Sequence, residues 1–298
     1  MNGVLIIDKP AGLTSHDVVN RVRRILHERS VGHLGTLDPL ATGVLPLVIG
    51  SFTRLAQFYA ASEKTYEGVI RFGFSTDTYD SDGEPTGPAQ AVSLRSEEVE
   101  SLAARFRGVI EQTPPPFSAK KIQGVPAYKL ARKKKEVALA PVQVEVKEFE
   151  ILATDTDRVT FRARVTSGTY MRSVAHDMGQ QLGCGAHLHS LRRTAVAEFV
   201  LADAHTLEDL DGATLKEDML VHPRTILPQL PSVTATEDMA ARIRSGRTVN
   251  LPDFSKARQV KVFCGQRDLI AIATRVAGTL FHAKLVLVSD PATAPRPV

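Results

Sequence analysis

RVTFRARV, residues 158–165, alternates apolar and polar side chains without a break, with Val159, Phe161, Ala163 and Val165 on one face. A period of two belongs to a half-buried strand and not to a helix. VQVEVKEFEIL, just upstream, alternates as well and then slips parity near Lys147 and Glu148, which predicts a bulge. GVLIIDKPAG, closed by Lys-Pro and Gly12, reads as a buried strand, and GVLPLVIG (43–50), TYEGVIRFGF (65–74) and TAVAEFVL (194–201) read as further strands.

Between them the period changes to that of a helix. Val18, Val19, Val22, Ile25 and Leu26 form one helical face, with Ser15 suited to cap it. Val99, Leu102, Ala103 and Phe106 form a second stripe that ends at Gly108. Arg172 to Leu182 reads as a helix with Val174, Ala175, Met178 and Leu182 inward and Gly183 as its stop. YKLARKKKE is a basic, helical stretch, whereas TPPPFSAKK is extended at its prolines and TDTYDSDGEPTG is an acidic turn-rich loop. Beyond residue 225 the texture shifts. LPQLPSV reads as a linker, Met239 to Ser245 as a short helix stopped by Gly246, and QVKVFC, LIAIATRV and HAKLVLV as strands of a small separate unit. The tail SDPATAPRPV reads as disordered.

The 298 residues suffice for one large domain and a smaller one, and 43% hydrophobic with 23% charged residues is an ordinary globular balance. Tryptophan is absent and aromatics make up 6%, so the core should be aliphatic. A net charge of +4 is a mild bias towards polyanions, meaningful only where the charges cluster. The two cysteines lie far apart without metal-ligand spacing, and no apolar run reaches the ~20 residues of a membrane span. With no signal-peptide pattern at MNGVLIIDKP, a reduced cytoplasmic setting is expected.

GHLGTLDPLATG, residues 32–43, holds one acid, Asp38, among three glycines, with a proline directly after it. Alone it reads as a turn, yet Leu34, Leu37, Leu40, Val44, Leu45 and Leu47 are odd wrapping for a surface turn. It is not a phosphate loop, because the closing Lys-Ser/Thr is missing and an acid would repel phosphate. In SGTYMRS, Tyr170 and Arg172 share a face if the backbone is extended, and an Arg beside a buried carboxylate keeps it ionised. A surface Tyr and Arg at a strand end is the plain alternative. Tyr66 suits base stacking or the core; His33 suits a general base, a stacking platform, a turn or, weakest because no acid or Cys stands at ligand spacing, a metal ligand. Lys129, Arg132, Lys133, Lys134 and Lys135 are a solvated face or, with the arginines of the first helix and Arg192–Arg193, a nucleic-acid backbone footprint. No Ser/His/Asp order, HExxH or GxGxxG is present.

GHLGTLDPLATGVLP, EKTYEG, SGTYMRS and GCGAHLHSLRRTAV together closely resemble the TruB-type tRNA pseudouridine synthases. NGVLIIDKPAGLTSHDVV, TDTYDSDG and PPPFSAKKIQGVPAYKLAR extend the match, in order, over residues 2 to about 210. Leu34 and Thr36 depart from the residues common at those motif positions. The resemblance implies an α+β fold: a mixed, mostly antiparallel sheet with flanking helices, the catalytic domain spanning 1–225 with an RNA-gripping insertion at about 118–136. A small β-rich PUA-like RNA-binding domain follows at 231–290, and then a disordered tail, 291–298.

The implied reaction turns the uridine at tRNA position 55, in the TΨC loop, into pseudouridine without metal or cofactor. Asp38 matches the nucleophile, Arg172 its partner, and Tyr66 the residue that stacks on the flipped uracil and handles a proton. Tyr170 and Leu191 match pocket-lining positions, and His33 the residue inserted near the vacated stack. Attack at C6 of the base and at C1′ of the ribose both remain open. The resemblance implies a monomer that binds the tRNA T stem-loop, with no membrane and no obligate protein partner. Two other readings are an RNA-folding chaperone, which does not need Asp38, and a guide-RNA-dependent rRNA synthase, which does not act on bare tRNA.

Overall fold

The computed structural model describes residues 1–118, 139–210 and 218–287, together with the backbone of Glu217 and of the two short strands Lys121–Ile122 and Val125–Pro126. The basic run Lys129–Lys135, most of the insertion at 118–136 and the tail 291–298 lie outside the described residues.

The larger sheet has nine strands: β1 (Gly3–Lys9), β2 (Val31–His33), β3 (Thr42–Ile49), β4 (Lys64–Phe72), β5 (Gly108–Gln112), β6 (Val142–Thr154), β7 (Arg158–Val165), β8 (Ala186–Val196) and β9 (Phe199–Val200). Its order is β1-β3-β8-β4-β7-β6-β5, with β2 added to β3 and β9 to β8. Every pairing is antiparallel except β3 with β8, so the sheet is mixed and mostly antiparallel as expected. The alternation of β7 buries Val159, Phe161, Ala163 and Val165 completely. The parity slip in β6 is a register shift between Val146 and Glu148.

Among the described residues, three helices longer than one turn accompany this sheet: α1 (Ser15–Leu26), α2 (Ser96–Ala104) and α3 (Met171–Leu182). In α3, Val174, Ala175 and Met178 are fully buried, and Gly183 closes the helix in the left-handed region, φ 73°. Helix α1 is capped by Thr14, not Ser15: Thr14 and Asp17 form a reciprocal capping box. Ser15 is instead buried inside the first turn, where its hydroxyl is occupied elsewhere. TAVAEFVL is not one strand. It is the end of β8, a turn at Ala197 with φ 48°, and β9.

A second, five-stranded sheet contains β10 (Ser232–Thr234), β11 (Val249–Asn250), β12 (Gln259–Cys264), β13 (Asp268–Ala277) and β14 (Leu280–Val286), ordered β10-β12-β13-β14-β11, with helix α4 (Glu237–Arg244) beside it. The connection into it is packed. Leu227 is buried, and its N–H donates to Glu198, which also accepts from Tyr59. The ammonium of the buried Lys261 donates to the carbonyls of Arg224 and Ile226. Phe263, Leu269, Ile272, Leu285 and Leu287 join Val4, Ile6, Val44, Val48 and Phe199 in one apolar cluster. The two sheets therefore share a core.

β3 changes neighbour along its length. Its C-terminal half pairs with β2, and its first two residues pair with β8. The chain between β2 and β3, residues 34–41, leaves the sheet at this switch, and it carries Asp38.

Candidate active site

The loop from 34 to 41 has no ladder partner, so its backbone polar groups need others. Three buried side chains supply them. Arg193, fully buried on β8, fills the gap beside β3: Nε donates to the Val44 carbonyl (2.8 Å), Nη1 to Thr36 (3.2 Å) and Nη2 to Gly35 (2.9 Å). Lys9, at the end of β1, donates to Pro10 (2.8 Å), Leu13 (2.6 Å) and Pro39 (3.2 Å). Ser15 accepts from the Leu37 N–H (2.8 Å) and donates to its carbonyl (3.1 Å). Gly12 N–H adds a bond to the Pro39 carbonyl. Gly43, φ +100°, lies where a Cβ would meet the Arg193 carbonyl oxygen at 2.2 Å, so strand and loop close only over glycine. The glycines and Pro39 thus belong to a braced loop rather than a free turn.

The brace points Asp38 at Arg172. Arg172 Nε lies 3.0 Å from Asp38 Oδ2, and Nη2 donates to Oδ1 at 3.2 Å. The Asp38 side chain is 36% exposed and that of Arg172 only 5%, so a solvent-facing carboxylate rests on a buried cation. The remaining donors of Arg172 are fixed as well: Nη1 donates to the Thr78 carbonyl (3.0 Å) and Nη2 to the Phe117 carbonyl (2.9 Å). Nη1 also sits 3.6 Å from the buried carboxylate of Asp80. Burial pushes the Asp80 carboxyl up from its ordinary value, while Thr78, Arg172 and the Asp82 N–H pull against it. Burial lowers Lys9 to about 8, and the negative charge of Asp38 resists that fall.

Tyr170 and Arg172 do not share an extended face. Tyr170 is extended at the N-cap of α3, and Arg172 already lies in the first helical turn. Gln112 holds the Tyr170 backbone from both sides, accepting from its N–H (2.8 Å) and donating to its carbonyl (3.1 Å). Burial raises the Tyr170 phenol, with the charge of Asp38 adding to the shift and Arg172 opposing it. Tyr66 and Leu191 are 7% and 9% exposed and belong to one apolar cluster with Leu37 and Met171, the chain neighbours of Asp38 and Arg172. His33 ends β2, where its Nδ1 accepts from the Gly35 N–H (3.2 Å). Burial first, then Arg193 and His16, lower its pKa. It stands beside the base of the loop. Among the described residues no three His, Cys, Asp or Glu are placed to hold a metal ion.

Arg193 is a correction to the basic footprint: it is inside the protein, out of reach of any phosphate. Arg192 grips Asp8 with both terminal nitrogens (3.1 and 2.7 Å). Asp80, Lys9 and Ser15 were not picked out as site residues by sequence reasoning. The acid-rich loop TDTYDSDG was the one signal for Asp80.

Comparison with known proteins decides the family. Residues 23–171 match the N-terminal domain model of the TruB family pseudouridylate synthases, and residues 172–229 match the C-terminal domain model of tRNA pseudouridylate synthase B. The chain belongs to the TruB family. The boundary between the two family models falls inside α3, between Met171 and Arg172. A curated TruB relative, the tRNA pseudouridine synthase B of Solibacter usitatus (strain Ellin6076), is 50% identical over 96% of this chain and 100% of its own length. That of Aquifex aeolicus (strain VF5) is 37% identical over the same shares. Among solved structures, a Cbf5–Nop10–Gar1 complex matches with a TM-score of 0.70 at 24% identity, covering 96% of this chain and 85% of that one. An H/ACA RNP bound to a substrate RNA containing 2'-deoxyuridine matches with 0.69 at 24% identity and the same coverage. These two show the shared TruB-type fold. The chain is thus a pseudouridine synthase, an isomerase acting on RNA uridine. No helix among the described residues is long and apolar enough to cross a membrane.

Proposed function

We propose that this chain converts the uridine at position 55 of tRNA, in the TΨC loop, into pseudouridine, with Asp38 as nucleophile. The observation that carries the reading is the asymmetric pair: a carboxylate open to solvent, held from behind by a buried arginine whose terminal nitrogens also donate to the Thr78 and Phe117 carbonyls. A nucleophile needs to be reachable and fixed, and this one is both. The glycosidic bond of a stacked uridine is out of reach, so the base must leave the stack, at a cost of a few kcal/mol. The apolar surround of Leu37, Tyr66 and Leu191 suits a flipped uracil. Tyr66 is assigned to stack on that uracil and to handle a proton, Tyr170 and Leu191 to line the pocket, and His33 to enter the vacated stack.

Asp38 adds to the nucleotide at C6 or at C1′. The N1–C1′ bond breaks, the uracil turns, a C5–C1′ bond forms, and as Asp38 is released the C5 proton leaves and N1 takes up a proton. One proton is lost at C5 and one is gained at N1, so substrate and product are isomers and the reaction needs no redox partner. The relatives' names support tRNA as the substrate. We assign the segment at about 118–136, including Lys129, Arg132, Lys133, Lys134 and Lys135, to grip the T stem-loop. The sheet at 232–286 is assigned as a PUA-like RNA-binding unit, and the chain is assigned to the cytoplasm as a monomer.

The test is to treat bare tRNA transcript with the purified full chain and map pseudouridine chemically along it. A single modified site at position 55 is the expected result. Modification elsewhere only, or none without an added RNA guide, contradicts the reading.

A further inference from the structure

Tyr79 has a left-handed backbone, φ 66°, which a bulky L-residue rarely adopts. The loop holds it there. The Tyr79 N–H donates to the Thr76 carbonyl (3.3 Å), its own carbonyl accepts from Leu188 N–H (2.9 Å), and Ser81 N–H donates to the Leu188 carbonyl (3.0 Å). The strained residue stands between the two groups of this loop that hold Arg172. The carbonyl before it, Thr78, accepts from Nη1, and the carboxylate after it, Asp80, faces the same nitrogen. A relaxed φ at Tyr79 would swing the Thr78 peptide plane and carry that carbonyl off Arg172.

What lies on the Tyr79 ring explains how the strain is kept. The ring stacks on His176, with centroids 3.8 Å apart and planes 10° from parallel. His176 is on α3, one turn beyond Arg172, so the two side chains share a helix face. Its Nδ1 is buried and has no hydrogen-bond partner among the described residues. What the imidazole offers Tyr79 is its flat face, and Nδ1 adds no hydrogen bond to hold it.

We propose that the Tyr79–His176 stack is a positioning device for the proposed reaction: it pins the 76–82 loop to helix α3 and thereby sets the Arg172 guanidinium against Asp38. Neither residue touches the substrate. The inference rests on the reading of Asp38 as nucleophile.

The test compares the full-length wild type with H176A, H176F, Y79G, the double variant Y79G/H176A and Asp38→Asn. Single-turnover rates on a tRNA transcript are measured, normalised to the folded fraction from circular dichroism, alongside tRNA Kd. H176A and Y79G are expected to slow the single-turnover step about tenfold with Kd within about twofold, because the loss is of geometry and not of binding. H176F keeps a flat ring and should stay within about twofold of wild type. Because both single changes remove one and the same contact, the double variant should be no slower than the slower of them. Wild-type rates in H176A and Y79G overturn the proposal. So does an H176F as slow as H176A, which would show that a ring nitrogen acts. An inactive Asp38→Asn with an unaffected H176A refutes the stack alone; a fully active Asp38→Asn refutes the reading beneath it.

Discussion

Arg172 lies between two carboxylates of unlike exposure: its Nε is 3.0 Å from Oδ2 of the half-open Asp38, and its Nη1 is 3.6 Å from Oδ2 of the buried Asp80. The second carboxylate, with the carbonyls of Thr78 and Phe117, leaves the guanidinium one orientation. Arg172→Lys keeps the charge but loses the planar fork that meets these acceptors at once. We expect its single-turnover rate on tRNA to fall about a hundredfold while tRNA binding holds. A lysine variant with wild-type turnover would show that charge alone suffices.

Arg193 replaces a missing strand with a side chain, satisfying carbonyls on both sides of the gap where the Asp38 loop leaves the sheet. Arg193→Met fills the volume and strands three acceptors. At about 1 to 3 kcal/mol for each buried unsatisfied group, less the relief of an arginine no longer buried, the expected loss is about 3 kcal/mol. Urea denaturation reads it as a lower midpoint at unchanged slope. A midpoint equal to wild type would mean that the loop holds without this brace.

Asp177, on α3, is pushed up to about 6 by burial. Between its unfolded value near 3.8 and about 6, the folded chain keeps a proton that the unfolded chain has released, so its contribution to stability falls as pH rises through that window. Asp177→Asn has no charge to bury. Its thermal midpoint should exceed wild type at pH about 7.5, with the gap closing as pH falls towards about 4. A gap that widens in acid would reverse the sign and contradict the assignment.

Much of this architecture is visible in local pattern. The parity slip at Lys147–Glu148 reads directly as the register shift in β6, because a bulge is a local event. The helix from Arg172 to Gly183 reads equally well, since its apolar spacing and its stop lie within twelve residues of each other. Features that depend on distant partners do not read. Ser15 carries the signature of a cap, but its hydroxyl is spent on Leu37, twenty-two residues away, and Thr14 caps instead. Arg193 lies in a basic stretch and so suggests a surface, yet it is wholly buried because the switch in the neighbours of β3 leaves carbonyls that only a long donor reaches. Asp38 and Arg172 were each legible as motif residues. Asp80 was not, because a buried carboxylate in an acidic loop looks like its solvated neighbours until Arg172 is placed beside it.

The central claim is that Asp38 adds covalently to the nucleotide in the step that leads to cleavage of the N-glycosidic link. Tritium release from C5-labelled uridine in tRNA transcript measures the completed isomerisation directly. Asp38→Asn keeps the shape and removes the charge, so the account predicts release indistinguishable from a protein-free control, with tRNA still bound at close to wild-type affinity. Release at the wild-type rate from Asp38→Asn would contradict it.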